Sequence, residues 1–308
     1  MITTVTLNPA VDKTCTAERL IPGQVNRMQS VKNIAGGKGI NVTKVLLQFG
    51  CQVCAMGFFG GYTGTFIEES VKNLGAECLF THVAGETRCN TNILSEDGYV
   101  TEVLETGPVI SEKELAVFVS EYKNVLEKSD YIVLSGSVPA GVPETIYKDL
   151  ILLAKEAGKR VLLDSSGAYL KEGVSAVPFM VKPNVKELEV LTGRKLRSRE
   201  EVIHAALTLA EKGIEHVMVS MGDKGLLYVC GQEIFFAKAP KVTAVNTVGC
   251  GDSAVASFVM SMLAGDEKEA VVKRAVAVSA ANATTLESAV IPVETMEELY
   301  EKIEVERY

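Results

Sequence analysis

The chain has 308 residues, of which 47% are hydrophobic and 23% are charged, and its formal net charge is −8. This composition is ordinary for a folded globular protein and excludes a disordered or low-complexity chain. The negative charge disfavours binding to nucleic acid or to an anionic membrane surface, so we expect neither partner. An anionic ligand therefore requires a local basic pocket.

The amino-terminal residues, Met1 to Leu7, are typical of a first strand and lack the basic and long apolar segments of a secretion signal. The most apolar later stretch, Ala254 to Ala264, is shorter than the roughly 20 residues that a bilayer crossing requires, so we predict no membrane segment. The seven cysteines are odd in number and scattered. This pattern favours a reducing compartment, and we expect a cytoplasmic protein.

From about Lys38 onward, short β-branched runs alternate with longer amphipathic segments. Such alternation predicts repeated βα units and an α/β fold with a mainly parallel sheet. The most apolar runs are typical of strands that helices cover on both faces. The predicted central strands are residues 131–134, 160–163, 179–181 and 216–219, and the predicted helices are residues 111–128, 143–157 and 198–212.

Two regions interrupt this alternation, Lys13 to Ala35 and Glu77 to Gly107, and both are rich in strand-forming residues. Each region leaves the βα series and rejoins it, so we hypothesise that the two pair as a small sheet. This sheet would form a lid over the active site. The whole chain, residues 1–308, is then a single domain. The alternative is that they are hairpins without a function.

The segment Asn246 to Ser253 places Gly249 and Gly251 before an apolar helical stretch. Glycines let a ligand approach the backbone, and free amides at a helix amino terminus bind anions. Asp252 has two interpretations. Its carboxylate either caps the helix or accepts the proton of an attacking hydroxyl while the amides of Gly249, Cys250 and Gly251 hold a phosphoryl group.

A second glycine cluster, Gly36 to Asn41, precedes another predicted helix. It is not a Walker A motif, because Gly39 stands where that motif has the Ser or Thr that binds magnesium, and the dinucleotide fingerprint G-x-G-x-x-G is also absent. What remains is an accessible backbone with Lys38 and Asn41 to bind ligand oxygens. These groups suit a polyhydroxyl substrate.

Six segments in chain order resemble the phosphofructokinase B family of ribokinase-like sugar kinases, and the resemblance spans nearly the whole chain. The first two are similar to the branch that contains 1-phosphofructokinase and tagatose-6-phosphate kinase, which act on ketohexose monophosphates. The segments are TLNPAVD (6–12), GGKGIN (36–41), SGSVPAG (135–141), KPNVKE (182–187), SMGDKG (220–225) and TVGCGDS (247–253).

The resemblance implies a doubly wound α/β domain with a β-sheet lid, often a homodimer through the lids, and the use of ATP and Mg²⁺. It assigns catalysis to Asp252 with Gly249, Cys250 and Gly251. The family's sugar contacts fall on Asp12, Gly37, Asn41 and Ser137, and its phosphate contacts fall on Arg27, Lys38, Arg88 and the neighbouring Asn90.

On the nucleotide side, the resemblance assigns magnesium, through water, to Asn184 and Glu187. Hard oxygen ligands and retained water are what Mg²⁺ prefers. Asn282 matches a contact near the adenine. The remaining nucleotide-binding positions implied by the motifs are Lys182, Ser220, Gly222, Gly225 and Thr247.

The sequence departs from the family pattern at two positions. Cys250 replaces the usual alanine, and a thiol at a helix amino terminus is expected to have a lowered pKa and to be sensitive to oxidation. Asn246 stands where the ribokinase branch often has Asp, which leaves a monovalent cation unresolved.

The substrate that the resemblance favours is fructose 1-phosphate, because Arg88 and Asn90 resemble the 1-phosphofructokinases. Gly85 to Arg88 and Ile303 to Val305 are closer to tagatose-6-phosphate kinases, so tagatose 6-phosphate is the alternative, and fructose 6-phosphate is a third. Two alternatives belong to other functional classes. A non-catalytic sugar-phosphate sensor would not need Asp252 and Glu187 together, and a nicotinamide dehydrogenase would need the G-x-G-x-x-G motif, which the sequence lacks.

Overall fold

A computed structural model describes residues 1–308, and its largest element is a ten-stranded sheet. The strands at its centre are continuously apolar and buried on both faces, as the sequence predicts. From one edge to the other they are β5 (Glu77–His82), β4 (Val53–Phe59), β1 (Ile2–Thr6), β8 (Tyr131–Ser135), β9 (Arg160–Asp164), β10 (Met180–Val181), β11 (His216–Ser220), β12 (Leu226–Cys230), β13 (Glu233–Ala237) and β14 (Val305–Arg307).

The strands from β5 to β11 run parallel, and β12, β13 and β14 add an antiparallel edge. The chain order reverses at β1, which lies between β4 and β8. In a doubly wound sheet, ligands bind at the carboxyl ends of the strands beside such a reversal. The fold therefore places a site beyond the ends of β1, β8 and β9.

The second sheet has four strands, and it joins the two regions that interrupt the βα series. Its central pair brings Asp12 beside Asn90, although 78 residues separate them in the chain. The root of the sheet packs on the main domain, because Val11 and Ala35 share an apolar cluster with Phe59 and Phe80. The strands lie in the order β3 (Ser30–Gly36), β2 (Ala10–Ala17), β6 (Arg88–Ser95) and β7 (Val100–Val103).

The bounds of the small sheet differ from those expected from the sequence. Residues 77–82 form β5 and pair with β4 of the large sheet, where Phe80 is buried, so the second region begins only after that strand. The first region begins at Ala10 rather than Lys13, because β2 pairs with β3 from the Ala10–Gly36 position onward. Both differences in the bounds arise because a strand-forming sequence predicts a strand but not the sheet in which that strand pairs.

The helices cover both faces of the large sheet and enclose two apolar clusters of 36 and 32 buried residues. The predicted capping box of Ser111 and Glu114 is present, and Gly158 and Gly213 follow helix ends with φ of 71° and 101°. No helix is long and apolar enough to cross a bilayer. The helices are α1 (Lys38–Gln48), α2 (Gly61–Asn73), α3 (Glu112–Leu126), α4 (Ile146–Glu156), α5 (Gly167–Ser175), α6 (Val185–Thr192), α7 (Arg199–Glu211), α8 (Cys250–Ala264), α9 (Lys268–Ala283) and α10 (Val293–Lys302).

Candidate active site

The turn into α8 leaves backbone amides free. Gly249 is the N-cap with a left-handed φ of 85°, and no side chain caps the helix. Ser253 is the first residue whose amide bonds within the helix, to the carbonyl of Gly249 at 2.8 Å. The amides of residues 250–252 therefore have no helical partner, although the Cys250 amide makes a long bond of 3.4 Å to the Thr247 carbonyl. The helix dipole adds positive potential at the same point. This turn is suited to bind a phosphoryl group.

Asp252 does not cap α8, so the capping interpretation is wrong. Its side chain is 5% exposed and accepts a hydrogen bond of 2.8 Å from Nδ2 of Asn41 in α1. Burial, followed by the charge of Asp164, raises the pKa of Asp252 to about 6, against the opposing charges of Lys38 and Lys182. A carboxylate with this pKa can accept a proton near neutral pH.

Asp164, at the carboxyl end of β9, is a site residue that the sequence reasoning missed. It is 1% exposed and pairs with Lys38 through an Nζ–Oδ1 contact of 2.9 Å and with Lys182 through an Nζ–Oδ2 contact of 3.2 Å. Burial opposes its charge, but the two lysines hold its pKa below the usual value. One feature of the sequence could have identified Asp164, because it is an acidic residue at the carboxyl end of an apolar strand in a parallel sheet.

The ion pairs of Asp164 with Lys38 and Lys182 change the expected grouping of these two lysines. Lys38 was assigned to the sugar phosphate and Lys182 to the nucleotide, whereas the structure directs both toward Asp164. A Cβ at Gly251 would lie 3.1 Å from Nζ of Lys182, so this cation also borders the turn into α8. The two ammonium groups therefore add positive charge beside the free amides.

The sugar-facing residues of the small sheet meet at Asp12. Asn90 donates a hydrogen bond of 3.1 Å from Nδ2 to its carboxylate, and burial raises the pKa of Asp12. A Cβ at Gly36 would lie 1.9 Å from Oδ2 of Asp12, and Gly37 has a φ of 104°, so both positions require glycine. The amide oxygens of Asn41 and Asn90 are buried without a partner, and ligand hydroxyls would satisfy them.

Of the two arginines expected at the sugar phosphate, only Arg88 meets the other candidates. Its guanidinium donates to the carbonyls of Asn8 at 3.0 Å and Glu105 at 3.2 Å, and to the hydroxyl of Ser137 at 3.3 Å. Arg27 lies exposed between β2 and β3 and makes no hydrogen bond or ion pair within the chain. The single chain therefore does not join Arg27 to the site.

The expected nucleotide loop borders a cavity of about 870 Å³, which Asn184, Ser220 and Gly222 line. Gly222 has a φ of 63° and Gly225 a φ of 122°, and a Cβ at Gly225 would lie 2.1 Å from the carbonyl oxygen of Ala237. The cavity is basic, because five cations line it against two carboxylates. These residues are Lys186, Arg197, Arg199, Lys224 and Lys238, with Asp223 and Glu306.

Asn184 and Glu187 form a reciprocal capping box at the start of α6. The Asn184 amide donates to Oε2 of Glu187 at 2.8 Å, and the Glu187 amide donates to Oδ1 of Asn184 at 2.9 Å. Oε1 of Glu187 remains free. No group of three or more His, Cys, Asp and Glu side chains is placed to hold a metal ion. The remaining carboxylate oxygen of Glu187 is a hard donor, which fits hydrated Mg²⁺ that also binds phosphate oxygens.

Three residues were expected near the turn into α8, and Thr247 lies exposed there. Asn282 has no exposed surface, and the chain itself pairs both polar groups of its carboxamide, which leaves neither of them for adenine. Burial raises the pKa of the Cys250 thiol, against the lowering that its position at a helix start suggested.

Comparisons with known proteins agree with this geometry. The family model described as "pfkB family carbohydrate kinase" matches residues 4–296. The chain is 36% identical to a Bacillus subtilis protein named 1-phosphofructokinase, over 100% of both chains. It is 37% identical to a Staphylococcus epidermidis protein named tagatose-6-phosphate kinase, over 99% of both chains.

The fold is also similar to that of a solved structure. A Thermotoga maritima protein described as a possible 1-phosphofructokinase superimposes with a TM-score of 0.91 at 29% identity, covering 100% of this chain and 99% of its own. The doubly wound sheet and its small companion sheet are thus the fold of these kinases. Because the family model matches residues 4–296 and relatives of 36% and 37% identity cover nearly the whole chain, the protein belongs to the pfkB family of carbohydrate kinases.

Proposed function

We propose that the protein transfers the γ-phosphoryl group of ATP to a hydroxyl of a ketohexose monophosphate, with Asp252 as the general base. The observation that carries this proposal is the burial of Asp252 beside the amides of residues 250–252, which have no helical partner. A proton acceptor and an anion site then lie at one point, which is what phosphoryl transfer to a hydroxyl requires.

In the proposed reaction, Asn41 orients the Asp252 carboxylate, which takes the proton of the attacking hydroxyl. The amides after Gly249, with Lys38 and Lys182, bind the negative charge of the transferring group. Mg²⁺, when bound to the ATP phosphates, supplies further charge neutralisation. Glu187 would hold it through its free oxygen and water, beside Asn184.

The small sheet serves as a lid in this proposal. It carries Asp12, Asn90 and Arg88 over the edge of the large sheet where Asp252 lies. A sugar bound below it would satisfy the unpartnered oxygen of Asn90. Closure would exclude water, which otherwise competes with the sugar hydroxyl as phosphoryl acceptor.

Fructose 1-phosphate is the substrate that we favour, on the arrangement of Arg88 and Asn90, and tagatose 6-phosphate is the alternative. Identities of 36% and 37% to relatives with the two names do not separate them. The test is ADP release with ATP and Mg²⁺, comparing kcat/KM for fructose 1-phosphate, tagatose 6-phosphate and fructose 6-phosphate. Preference for tagatose 6-phosphate would overturn the choice of substrate. No stimulation by any of the three would overturn the branch assignment.

We also propose a cytoplasmic homodimer that forms through the small sheets. Val31 and Val103, which the strand pairing places on one face of this sheet, are 57% and 54% exposed, which is apolar surface that a second copy would cover. All seven cysteines are free thiols, as in a protein from a reducing compartment. In a dimer, the exposed Arg27 would be available to the partner's site.

A further inference from the structure

Asn282, near the end of α9, connects three separate segments of the chain. Its Nδ2 donates to the carbonyl of Val248 at 2.9 Å and to Sγ of Cys250 at 3.3 Å, and its Oδ1 accepts from the Ala289 amide at 2.7 Å. The residue is 0% exposed. A fully buried carboxamide with every polar atom paired fixes the groups around it.

The turn that Asn282 holds has an unfavourable backbone conformation. Ala289 has a φ of 61° and is 2% exposed. An alanine keeps a left-handed conformation only when its surroundings enforce it. Helix α1 supplies a further restraint, because Lys44 donates to the Ser288 carbonyl at 2.8 Å.

This turn lies directly behind the phosphate loop, which we define as residues 247–251. A Cβ at Gly249 would lie 3.1 Å from the Ala289 nitrogen, 3.2 Å from Cβ of Ser288 and 3.4 Å from Oδ1 of Asn282. Within the loop itself, the backbone bond from the Cys250 amide to the Thr247 carbonyl is long, at 3.4 Å. The loop therefore takes its shape largely from the groups behind it.

We propose that Asn282 is a positioning residue that holds the phosphate loop against the Ala289 turn, so that the loop amides point at the transferring phosphoryl group. The inference rests on the proposed function. Donors that are already oriented need no reorganisation in the transition state. Loss of Asn282 therefore lowers kcat, whereas sugar binding, which depends on residues of the small sheet, changes little.

The test compares Asn282→Ala with Gln48→Ala. Gln48 is a matched control because its carboxamide also bonds reciprocally to this segment, at Ile291, without touching the phosphate loop. We expect Asn282→Ala to lower kcat at least about tenfold with KM for the sugar phosphate within about threefold of wild type. Amide hydrogen exchange of Ser253, whose amide bonds to the Gly249 carbonyl of the phosphate loop, is measured without substrate and is expected to accelerate. Gln48→Ala is expected to lower the melting temperature but keep the wild-type kcat and exchange.

Wild-type exchange at Ser253 in Asn282→Ala, or kcat within about twofold of wild type, would overturn the inference. So would equal losses of kcat in both variants. Should Asn282→Ala not fold, Asn282→Ser retains one donor and is expected to show an intermediate kcat and exchange rate, whereas wild-type values for both would refute the role. ADP release by the wild type in the same assay shows whether the proposed function itself stands.

Discussion

Two buried carboxylates, Asp252 and Asp164, have opposite electrostatic surroundings at the active site. Asp164 contacts two lysines, which hold its pKa below the usual value, whereas burial and the neighbouring Asp164 raise the pKa of Asp252 to about 6. Pairs of acids whose environments separate their pKa values commonly divide their roles in catalysis. We therefore assign proton transfer to Asp252, and the placement of Lys38 and Lys182 to Asp164.

Asp252→Asn is expected to lower kcat by roughly 10² to 10⁴, the contribution of a general base, because an amide cannot accept the hydroxyl proton. Binding of ATP and sugar should survive, since the variant keeps the size of the side chain. Steady-state kinetics and calorimetric titration of ATP measure the two effects. Intact turnover with loss of ATP binding would show that Asp252 is not the base.

The same substitution should stabilise the ligand-free protein at alkaline pH. Burial raises the pKa of Asp252 from 3.8 to about 6, so the folded state holds this proton more tightly than the unfolded chain. Stability is therefore lost as pH rises from about 4 to 6, and above pH 6 the buried charge costs roughly 3 kcal/mol.

Thermal unfolding of the wild type and of Asp252→Asn at pH 8 and pH 4 tests this sign. The variant should melt at the higher temperature at pH 8, and the difference should shrink at pH 4. Burial lowers the pKa of His216 to about 4, so His216 titrates in the same range. It is present in both proteins, and its effect therefore cancels from the difference in melting temperature. A variant less stable than wild type at pH 8 would contradict the prediction.

Among single residues, the sequence predicted those that stand in compact motifs. Asn41 and Asp252 lie in different motifs, and the structure joins them at 2.8 Å. Asp164 has no motif around it beyond its place at the end of an apolar strand, and the alignment of β9 with its neighbours brings it to the site. Asn282 was assigned to the groove because a helical pattern does not say which residues lie beneath a neighbouring loop.

At the scale of elements, α8 begins at the turn that we propose binds the phosphoryl group, and the two ends of this helix provide a controlled comparison. Gly249 and Gly265 both have left-handed φ, of 85° and 71°. Gly249 packs against the Ala289 turn, whereas a Cβ at Gly265 would meet nothing within 4 Å. Both positions favour glycine because their φ is left-handed, but only at Gly249 would an added Cβ contact neighbouring atoms.

Gly265→Ala should therefore cost about 1 kcal/mol of stability, the usual penalty for a left-handed alanine, with kcat unchanged. Gly249→Ala should lose more stability and most of its turnover, because the added methyl group displaces the phosphate loop. Thermal unfolding and kcat of both variants measure these effects. Equal losses of kcat in the two variants would show that the crowding at Gly249 does not matter for activity.

At the scale of the whole molecule, the small sheet is the surface on which we expect a second copy to dock. Val31→Asp combined with Val103→Asp should convert the dimer to a monomer, because charges within a buried apolar contact are costly. Analytical ultracentrifugation measures the change, and Val117→Asp on α3, which is 51% exposed, is the control outside that sheet. A wild-type monomer at micromolar concentration would contradict the proposal.

The sequence by itself determined the α/β class and the central strands and helices, since these depend on local periodicity and short-range turn chemistry, and its motifs named the residues that we propose for the site. Only the tertiary structure decided that Glu77 to His82 joins the large sheet and that Asp164 pairs with Lys38 and Lys182. It also decided that Asn282 lies behind the phosphate loop. Sheet membership, ion pairing and burial depend on contacts between residues far apart in the chain, and local sequence patterns do not encode which partners meet.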